Sequence, residues 1–390
     1  MRPTATYDAV IVGARPAGAA TAMLLARAGL RVLVVDRAAY GADTVSTHAL
    51  LRGGVMQLAR WGLLDRITEA ATPAVGRCIF HYGSRELEVL IKPRAGVDAL
   101  YAPRRTVLDP VLVDAARDAG ADVRFGVSVT GVVRNGRVTG VVGHDEHGRA
   151  FAANARIVVG ADGIGSSVAR LVGAPVEQSA DGAAAFIYGY HERLPADRYQ
   201  LWYRPGVAAG SFPTNHGQAC VFVASPPERM RRELRNGAGP AYANLLAEAA
   251  PELPDGARDL GRLRVFAGRR TGYVRRSHGP GWALVGDAGY YKDPITSHGL
   301  TDALRDAELL SRAIIVAASD EGAEPMALAT YQSVRDRLSA RLFTVTDQIA
   351  SFRWDLDRIP GLVTEVSDSM ADEMTCLSEL DALHELKEAT

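Results

Sequence analysis

The chain has 390 residues, of which 47% are hydrophobic and 23% are charged, and its formal net charge is −1. This composition is typical of a globular protein of two to three domains, and the lack of a basic excess argues against nucleic acid or an anionic membrane as a partner. No apolar stretch approaches the ~18 residues that suggest a membrane span, and the first strand begins too early for a signal peptide. The three cysteines lack metal-ligand spacing. We therefore expect a cytoplasmic protein with reduced thiols and no bound metal.

The first predicted unit is a strand, a glycine turn, a helix and a second strand that ends in an acid. The apolar run at 8–13 is typical of a buried parallel strand, and the Ala- and Leu-rich segment 16–28 predicts a helix. A second apolar strand at 32–35 ends at Asp36, which lies 23 residues after Gly13. This order and spacing are those of a dinucleotide-binding βαβ unit, in which an acid about 20 residues on binds ribose hydroxyls.

The turn of this unit departs from the usual GxGxxG pattern. Gly13 and Gly18 align with the first and last glycines, but Arg15 stands where the middle glycine normally lets the backbone approach a diphosphate. Either the turn is altered, or the Arg15 side chain itself pairs with phosphate. The helix N-terminus would face that diphosphate in both cases. The cofactor contacts expected from this unit are Gly13, Arg15, Ala17, Gly18, Asp36 and Arg37.

Two further apolar runs end in glycine–aspartate turns. They are VVGADGIGSS at 158–167 and ALVGDAGYYKDP at 283–294. Asp162 and Asp287 are short acceptors suited to hydroxyl groups, and Gly163 would let the backbone come close to a ligand. Either turn alone is as well explained by simple chain reversal. Both together, in order behind a dinucleotide fold, favour separate contacts with the diphosphate, ribose and ring system of one long cofactor.

With these motifs, the chain resembles the FAD-dependent monooxygenase group related to para-hydroxybenzoate hydroxylase, and it is similar to the neighbouring geranylgeranyl-reductase-type flavoproteins. The resemblance covers roughly residues 7–340 and implies FAD as the cofactor. It implies an α/β fold: a Rossmann-like FAD-binding domain of the GR2 type, an inserted antiparallel-sheet substrate domain, and a helical C-terminal tail on the outside. The expected segments are 1–75, 104–178 and 272–340 for the discontinuous FAD-binding domain, 76–103 and 179–271 for the substrate domain, and 341–390 for the tail.

The resemblance also implies roles for individual residues along the cofactor. Asp287 would hold the ribityl chain, and Arg105, which begins the pattern RxxLxxxL, would be another contact. Pro294 would lie beside the isoalloxazine ring. The helix after it would point its N-terminus at the flavin pyrimidine, where a helix dipole stabilises an anion by about 0.3–2 kcal/mol. The further contacts implied are Asp162, Gly163, Gly286, Gly299 and Leu300.

Three residues are candidates for catalysis: His48, Lys292 and His298. The hydroxylases usually carry Ala-His after Gly-Asp-Ala, whereas this chain continues Gly-Tyr-Tyr-Lys-Asp. We expect Lys292 or Asp293 to tune the flavin or contact substrate; a solvated Lys–Asp pair on a loop is the alternative. His48 would donate a hydrogen bond to the flavin or act as acid or base, with an ordinary pKa near ~6.5, unless it is structural.

The two inserts contain alternating, aromatic-bearing runs, and a period of two predicts an antiparallel sheet. In the related flavoproteins such a sheet forms a roof over the flavin, so an aromatic substrate pocket is expected here. The expected lining residues are Tyr101, Trp202, Tyr203, Phe212 and Phe222.

The resemblance favours an NAD(P)H-driven monooxygenase that hydroxylates or epoxidises a small aromatic or polyketide-like substrate through a flavin C4a-hydroperoxide. The chain has no second GxGxxG, so NAD(P)H would bind transiently or a partner flavin reductase would supply electrons. A reductase or dehydrogenase of carbon–carbon double bonds is the alternative, because the Tyr-Tyr-Lys-Asp sequence departs from the hydroxylase pattern. Halogenation is not expected, since no lysine precedes Lys92. A non-enzymatic FAD-binding regulator is a fourth interpretation. The expected assembly is a monomer or homodimer.

Overall fold

The computed structural model of the protein describes residues 6–253, 262–268 and 270–381. The strands are β1 (Thr6–Val12), β2 (Val32–Asp36), β3 (Arg77–Tyr82), β4 (Arg85–Leu90), β5 (Asp122–Phe125), β6 (Val127–Asn135), β7 (Arg137–Asp145), β8 (Ala150–Gly160), β9 (Val176–Ser179), β10 (Ala185–Glu192), β11 (Arg198–Arg204), β12 (Val207–Pro213), β13 (Gln218–Ser225), β14 (Arg264–Phe266), β15 (Tyr273–Arg275), β16 (His278–Gly279), β17 (Trp282–Leu284) and β18 (Tyr290–Tyr291). The α-helices are α1 (Pro16–Arg27), α2 (Arg52–Arg60), α3 (Leu64–Glu69), α4 (Arg105–Asp118), α5 (Ser167–Val172), α6 (Pro227–Glu233), α7 (Ala238–Ala249), α8 (Gly299–Ser319), α9 (Glu324–Ala350) and α10 (Ile359–Ser378).

The first layer is an eight-stranded sheet with the central order β16-β17-β8-β1-β2-β5. Strands β17, β8, β1, β2 and β5 run parallel, and the hairpin β6–β7 joins the sheet through β8. Helices α1, α4 and α8 cover one face, while the β6–β7 hairpin and α5 cover the other. Burial on both faces is why β1 and β2 are continuous apolar runs. The predicted dinucleotide-binding unit and α/β fold are confirmed.

The second layer is a seven-stranded sheet with the order β14-β10-β13-β12-β11-β3-β4. Its strands come from residues 77–90 and 185–266, which lie in the two segments expected to form the substrate domain. Neighbouring strands are antiparallel except for β3 and β11, which run parallel. This pair joins the two inserts, so no hairpin turn forces it to be antiparallel. A third, smaller sheet has three strands in the order β18-β15-β9.

The C-terminal helices differ from the expected outer tail. Helix α9 continues unbroken past residue 341 to Ala350. Helix α10 then buries Ile359, Leu362 and Val366 against aromatic residues of the seven-stranded sheet. Further along the same helix, Glu373 is also buried. The tail therefore packs one face on the core and leaves the other exposed, because an amphipathic helix of this length needs a core to cover its apolar face.

Candidate active site

A cavity of about 700 Å³ lies where the carboxyl ends of β1, β2 and β8 meet the seven-stranded sheet. This is the edge at which open α/β sheets bind ligands, and the volume is that of a ligand site. The wall on the sheet side comes from β10 and β14, and the opposite wall comes from the turns after β1, β8 and β17. The cavity is therefore closed by both layers of the fold.

The glycine turn after β1 packs directly on the turn after β8. Gly13 has a φ of +110°, and a Cβ there would lie 2.4 Å from the Ala161 carbonyl oxygen. A Cβ on Gly18 would lie 1.9 Å from the Gly13 carbonyl oxygen, so Gly18 packs behind the turn while Gly13 lines the cavity. The first turn of α1 has no side-chain cap, and Arg15, Pro16 and Ala17 line the cavity there. Its amide groups are thus available to an anion.

Two arginines meet at this helix N-terminus. The Arg15 guanidinium lies 3.0 Å from the Asp109 carboxylate, and Arg105 binds the same carboxylate through two bonds of 2.7 and 2.9 Å. Two positive charges share one negative charge, and both arginines line the cavity. This arrangement suits a diphosphate, which Arg binds through charged hydrogen bonds. Asp109 was missed in the sequence, although its position four residues after Arg105 in a helix was a usable signal.

Asp36 lies at the end of β2 on the cavity wall. Its carboxylate accepts hydrogen bonds from the backbone amides of Ala14 and Ala38, both at 2.7 Å. The acid therefore ties the glycine turn to the second strand. A carboxylate has about four acceptor sites, so two remain for hydroxyl groups of a ribose. Arg37, the next residue, also lines the cavity.

The acid of the second motif is used differently from its expected role. The Asp162 carboxylate accepts from the Ser166 hydroxyl at 2.5 Å and from the amides of Ser167 and Val168 at 2.6 and 3.2 Å. The Asp162 carboxylate therefore satisfies the first two amides of the short helix α5, whose N-cap is Ser166. Asp162 and Gly163 both line the cavity, so the backbone of this turn remains accessible.

In the third motif, Gly286 packs against helix α1 and Asp287 faces the cavity. Gly286 has a φ of +57°, and a Cβ there would lie 2.9 Å from the Ala17 Cβ, so this glycine lets the motif pack on α1. Asp287 lines the cavity. Burial raises the pKa of Asp287 to about 6, against the opposing effect of Lys292 and Arg105. The other predicted contacts of this region, Pro294, Gly299 and Leu300, also line the cavity.

Lys292 is buried on the cavity wall, so the expected alternative of a solvated Lys–Asp pair is wrong. Its ammonium group pairs with the Asp302 carboxylate of α8. Burial, together with the charge of Arg305, lowers the pKa of Lys292 to about 7. The neighbouring Asp293 points elsewhere, because its carboxylate accepts from the amides of Ala184 and Ile295.

A network of buried charges continues behind Lys292. The His298 ring bridges Asp302 and Glu373, with both N–O distances at 3.0 Å, and Arg305 contacts the same two carboxylates at 2.9 and 3.4 Å. Burial would raise the pKa of Glu373, but His298 and Arg305 outweigh it and lower that pKa to about 2. His298 does not appear among the described cavity-lining residues. Glu373 comes from α10, and nothing local in its sequence indicates this contact.

His298, Asp302 and Glu373 also have the spacing of a possible metal site, since one ligand atom of each lies within 4.8 Å of the others. The same carboxylates already bind Lys292 and Arg305. The two positive charges compensate the acids, so the cluster is complete as an ion network without a metal.

His48 is fully buried on the cavity wall and has a φ of +67°, which is unusual for a histidine. Its Nε2 atom lies 2.6 Å from the Tyr190 hydroxyl, and the two rings are stacked with centroids 5.7 Å apart. Burial and the nearby charges of Arg105 and Arg104 lower the pKa of His48 well below its usual value. The structure thus places the predicted His48 at the cavity, where burial favours its uncharged form over the ordinary pKa expected from the sequence.

The aromatic wall of the cavity is not made by the five residues expected. Within the described chain, none of them lines the cavity. Trp202 faces α7 on the far side of its sheet, because neighbouring residues of a strand alternate between faces. The remaining four are core residues: Tyr101 packs with the helices of the first layer, and Tyr203, Phe212 and Phe222 pack beneath the second sheet.

Aromatic lining residues come instead from β10, β14 and β18. Phe186 and Tyr188 of β10 line the cavity, and Tyr190 follows two residues later. Alternate residues of a strand share one face, so the spacing 186, 188, 190 was a signal that could have identified this wall. Phe222 packs behind Phe186, with ring centroids 5.8 Å apart. The other aromatic lining residues are Phe266 and Tyr291.

Together these groups fit FAD. An uncapped helix N-terminus and two arginines lie at one end, an acid with free acceptor sites lies beside them, and an aromatic wall lies at the other end. The family model "FAD binding domain" matches residues 6–346. The chain therefore belongs to this family, and it is an FAD-dependent oxidoreductase.

Three comparisons show how this family member relates to named proteins. The chain is 29% identical over 348 residues to a digeranylgeranylglycerophospholipid reductase from Methanocella arvoryzae, covering 86% of this chain and 84% of that protein. The solved structure of PqsL from Pseudomonas aeruginosa, described as a "probable FAD-dependent monooxygenase", superposes with a TM-score of 0.77 at 23% identity and covers 92% of this chain and 100% of PqsL. A geranylgeranyl bacteriochlorophyll reductase-like protein from Thermoplasma acidophilum superposes with a TM-score of 0.74 at 20% identity, covering 99% of both chains. The two structures establish the fold.

Among the described helices, none combines the length and the apolar character needed to cross a membrane.

Proposed function

We propose that this protein is an FAD-dependent reductase that saturates a carbon–carbon double bond of an organic substrate. The observation that carries the proposal is His48, which lines the cavity with the aromatic residues Phe186 and Tyr188 and forms a hydrogen bond with Tyr190. Reduction of a double bond requires a hydride on one carbon and a proton on the other, so the site needs a protic group beside an apolar pocket. The similarity to a named reductase across 86% of the chain supports the same reaction class.

Bound FAD, once reduced by two electrons, would supply the hydride. The N-terminus of α1 with Arg15 and Arg105 would bind the diphosphate, and Asp36 would accept from ribose hydroxyls. Lys292 and the N-terminus of α8 would stabilise negative charge on the ring system. His48 would hold the proton that completes the reduction. Phe186, Tyr188 and Phe266 would exclude water from the reacting face. We further propose that NAD(P)H, or a partner flavin reductase, returns electrons to the cofactor.

A monooxygenase acting on a small aromatic or polyketide-like substrate is the second candidate. The structural similarity to PqsL favours it, as does the aromatic wall, which would keep water away from a reactive oxygen species. The two candidates differ in the acceptor of the electrons. The reductase passes them to the substrate, whereas the monooxygenase passes them to dioxygen and inserts one oxygen atom into the substrate.

The test uses the purified, FAD-loaded protein, reduced chemically in the absence of dioxygen. One portion is mixed with geranylgeraniol in detergent without dioxygen, and another with the same compound and ¹⁸O-labelled dioxygen, while the flavin absorbance is followed. We expect rapid, substrate-dependent return of the oxidised spectrum without dioxygen, and a product that has gained two hydrogens. Fast reaction with dioxygen, with no anaerobic reaction with geranylgeraniol and with labelled oxygen found in a product, would replace the reductase by the monooxygenase.

A further inference from the structure

One ring nitrogen at the cavity has no protein partner. His48 is fully buried, its Nε2 is taken by Tyr190, and its Nδ1 has no hydrogen-bond partner among the described residues. A buried polar atom left without a partner costs about 1–3 kcal/mol. Since His48 lines the cavity, the natural partner of Nδ1 is the molecule that fills it.

The neighbours of Tyr190 decide which of the two nitrogens carries the hydrogen. The Arg104 guanidinium lies over the Tyr190 ring, 3.5 Å from its centroid, and it is held there by a hydrogen bond to Gln218. A cation over the ring withdraws electron density from the phenol, which favours Tyr190 as the donor. A neutral imidazole has one donor and one acceptor. If the Tyr190 hydroxyl donates to Nε2, the hydrogen of His48 is on Nδ1.

We propose that Tyr190 is a positioning residue that donates to His48 Nε2 and thereby presents the His48 Nδ1–H to an acceptor atom in the cavity. The acceptor is a carbonyl oxygen or ring nitrogen of the flavin, or the substrate carbon that receives a proton. In the last case the Nδ1–H bond breaks as the proton moves to carbon, the Tyr190 hydroxyl proton moves to Nε2, and the phenolate left on Tyr190 is stabilised by the Arg104 guanidinium over its ring. The inference rests on the proposed function only for this last destination, because the tautomer itself is a property of the protein. The positive φ of His48 supports it, since a strained backbone persists where a side chain must be held in place.

The same strand offers a matched control. His191 follows Tyr190 and faces the opposite side of the sheet, where its Nε2 lies 2.6 Å from the Tyr242 hydroxyl and the rings are 5.8 Å apart. This pair has nearly the same geometry as His48–Tyr190, but none of its residues lines the described cavity. Tyr242→Phe therefore removes a His–Tyr hydrogen bond of the same length, together with the bond from the Tyr242 hydroxyl to the Val221 carbonyl, at residues that do not line the described cavity.

The experiment is nitrogen–proton correlation NMR of the full chain, loaded with FAD and labelled with ¹⁵N-histidine, with His48 assigned through His48→Gln. We expect the wild-type His48 to carry its hydrogen on Nδ1. In Tyr190→Phe we expect a mixture of tautomers, and in Tyr242→Phe we expect the His48 signals to stay unchanged. A wild-type hydrogen on Nε2, a charged ring, or unchanged His48 signals in Tyr190→Phe would overturn the proposal. The wild-type tautomer is read from the wild-type spectrum, so it does not depend on whether Tyr190→Phe folds.

A second measurement separates this inference from the proposed function. Tyr190→Phe should slow substrate-driven reoxidation of the reduced flavin at least about tenfold, with the KM preserved, since a positioned general acid contributes about 10²–10⁴-fold. If the protein reduces no double bond but His48 carries Nδ1–H, the proposed function fails and the positioning role stands. If reduction occurs and Tyr190→Phe reacts at the wild-type rate, the positioning role fails and the function stands.

Discussion

The two ends of the cavity differ in the groups that line them: mostly backbone groups of one segment at one end, and side chains from distant segments at the other. At the β1–α1 end, most of the groups that face inward are backbone amides and short side chains of the first βαβ unit, and Arg105 and the turn after β8 complete the wall. At the ring end, the groups are side chains from distant segments. His48 follows β2, Lys292 precedes α8, and the carboxylate behind Lys292 is braced by α10 through Glu373.

The difference shows what holds the lining groups in position at each end of the cavity. Backbone geometry sets the diphosphate end, so it tolerates few substitutions at the glycines and little depends on remote packing. The ring end depends on a buried ion network, in which each charge is stabilised only while its partners remain. Substitutions at the two ends of the cavity should therefore differ in their effects on stability and on the cofactor.

The largest effect is expected from breaking the buried network. Glu373→Ala should lower the free energy of unfolding by about 3–5 kcal/mol, because Arg305 and His298 would each lose one of their buried carboxylate partners. The matched control is Asp372→Ala, one residue earlier on α10, where the side chain is exposed and 3.8 Å from Arg341. We expect the control to change stability by no more than about 0.5 kcal/mol. Equal losses in chemical denaturation of both variants would refute the contrast.

The same network predicts how stability depends on pH. The folded-state pKa of Glu373 is lowered to about 2 from an ordinary 4.5, so the folded protein binds fewer protons than the unfolded chain between these values. The ionised Glu373 therefore adds to the free energy of unfolding in full above about pH 4.5, and this stabilisation is lost as the pH falls toward 2. Glu373→Gln should therefore flatten the acid side of the stability curve measured by urea unfolding at a series of pH values. An identical acid limb in variant and wild type would contradict this.

At the other end, the close approach of backbone gives the next largest effect. Gly18→Ala places a Cβ 1.9 Å from the Gly13 carbonyl oxygen, so we expect a loss of about 1–3 kcal/mol in stability and weaker FAD retention. Gly361→Ala is the control: it is also the third residue of a helix and follows a proline, but it has open space around it. The free energy of unfolding of Gly361→Ala should rise by about 0.5–1 kcal/mol, because alanine favours the helix more than glycine does. Thermal unfolding and FAD titration measure both, and a Gly18→Ala protein that binds FAD as tightly as wild type would overturn the packing argument.

The smallest effect is expected at Lys292. Lys292→Met removes a buried positive charge from the cavity wall, so the two-electron reduction potential of bound FAD should fall by roughly 30 mV, equivalent to about 1.4 kcal/mol. Lys92→Met, which removes an exposed lysine away from the cavity, should leave the potential unchanged. Spectroelectrochemical titration of both variants measures this. A potential that is the same in Lys292→Met and wild type would remove Lys292 from flavin tuning.

Much of the cavity's diphosphate end could be predicted from sequence, and the reason is locality. Gly13, Arg15, Ala17 and Asp36 lie within one βαβ unit, where strand and helix periods decide which residues face the ligand. The aromatic roof could not be placed in the same way. Trp202 and Phe222 have the right composition for a pocket, but which face of a sheet is covered by helices, and which meets a cavity, depends on packing between distant segments.

The local sequence specified the βαβ unit and the three glycine motifs, because each is encoded by neighbouring residues and backbone geometry. The class of fold and FAD as the cofactor followed from the family resemblance that those motifs carry. The packing of the whole fold, and not a local pattern, brings Phe186 and Tyr188 to the cavity as its aromatic wall and Glu373 to the ion network. Those contacts join residues far apart in the chain. Their formation depends on how two sheets and α10 exclude water together, which no local pattern of residues specifies.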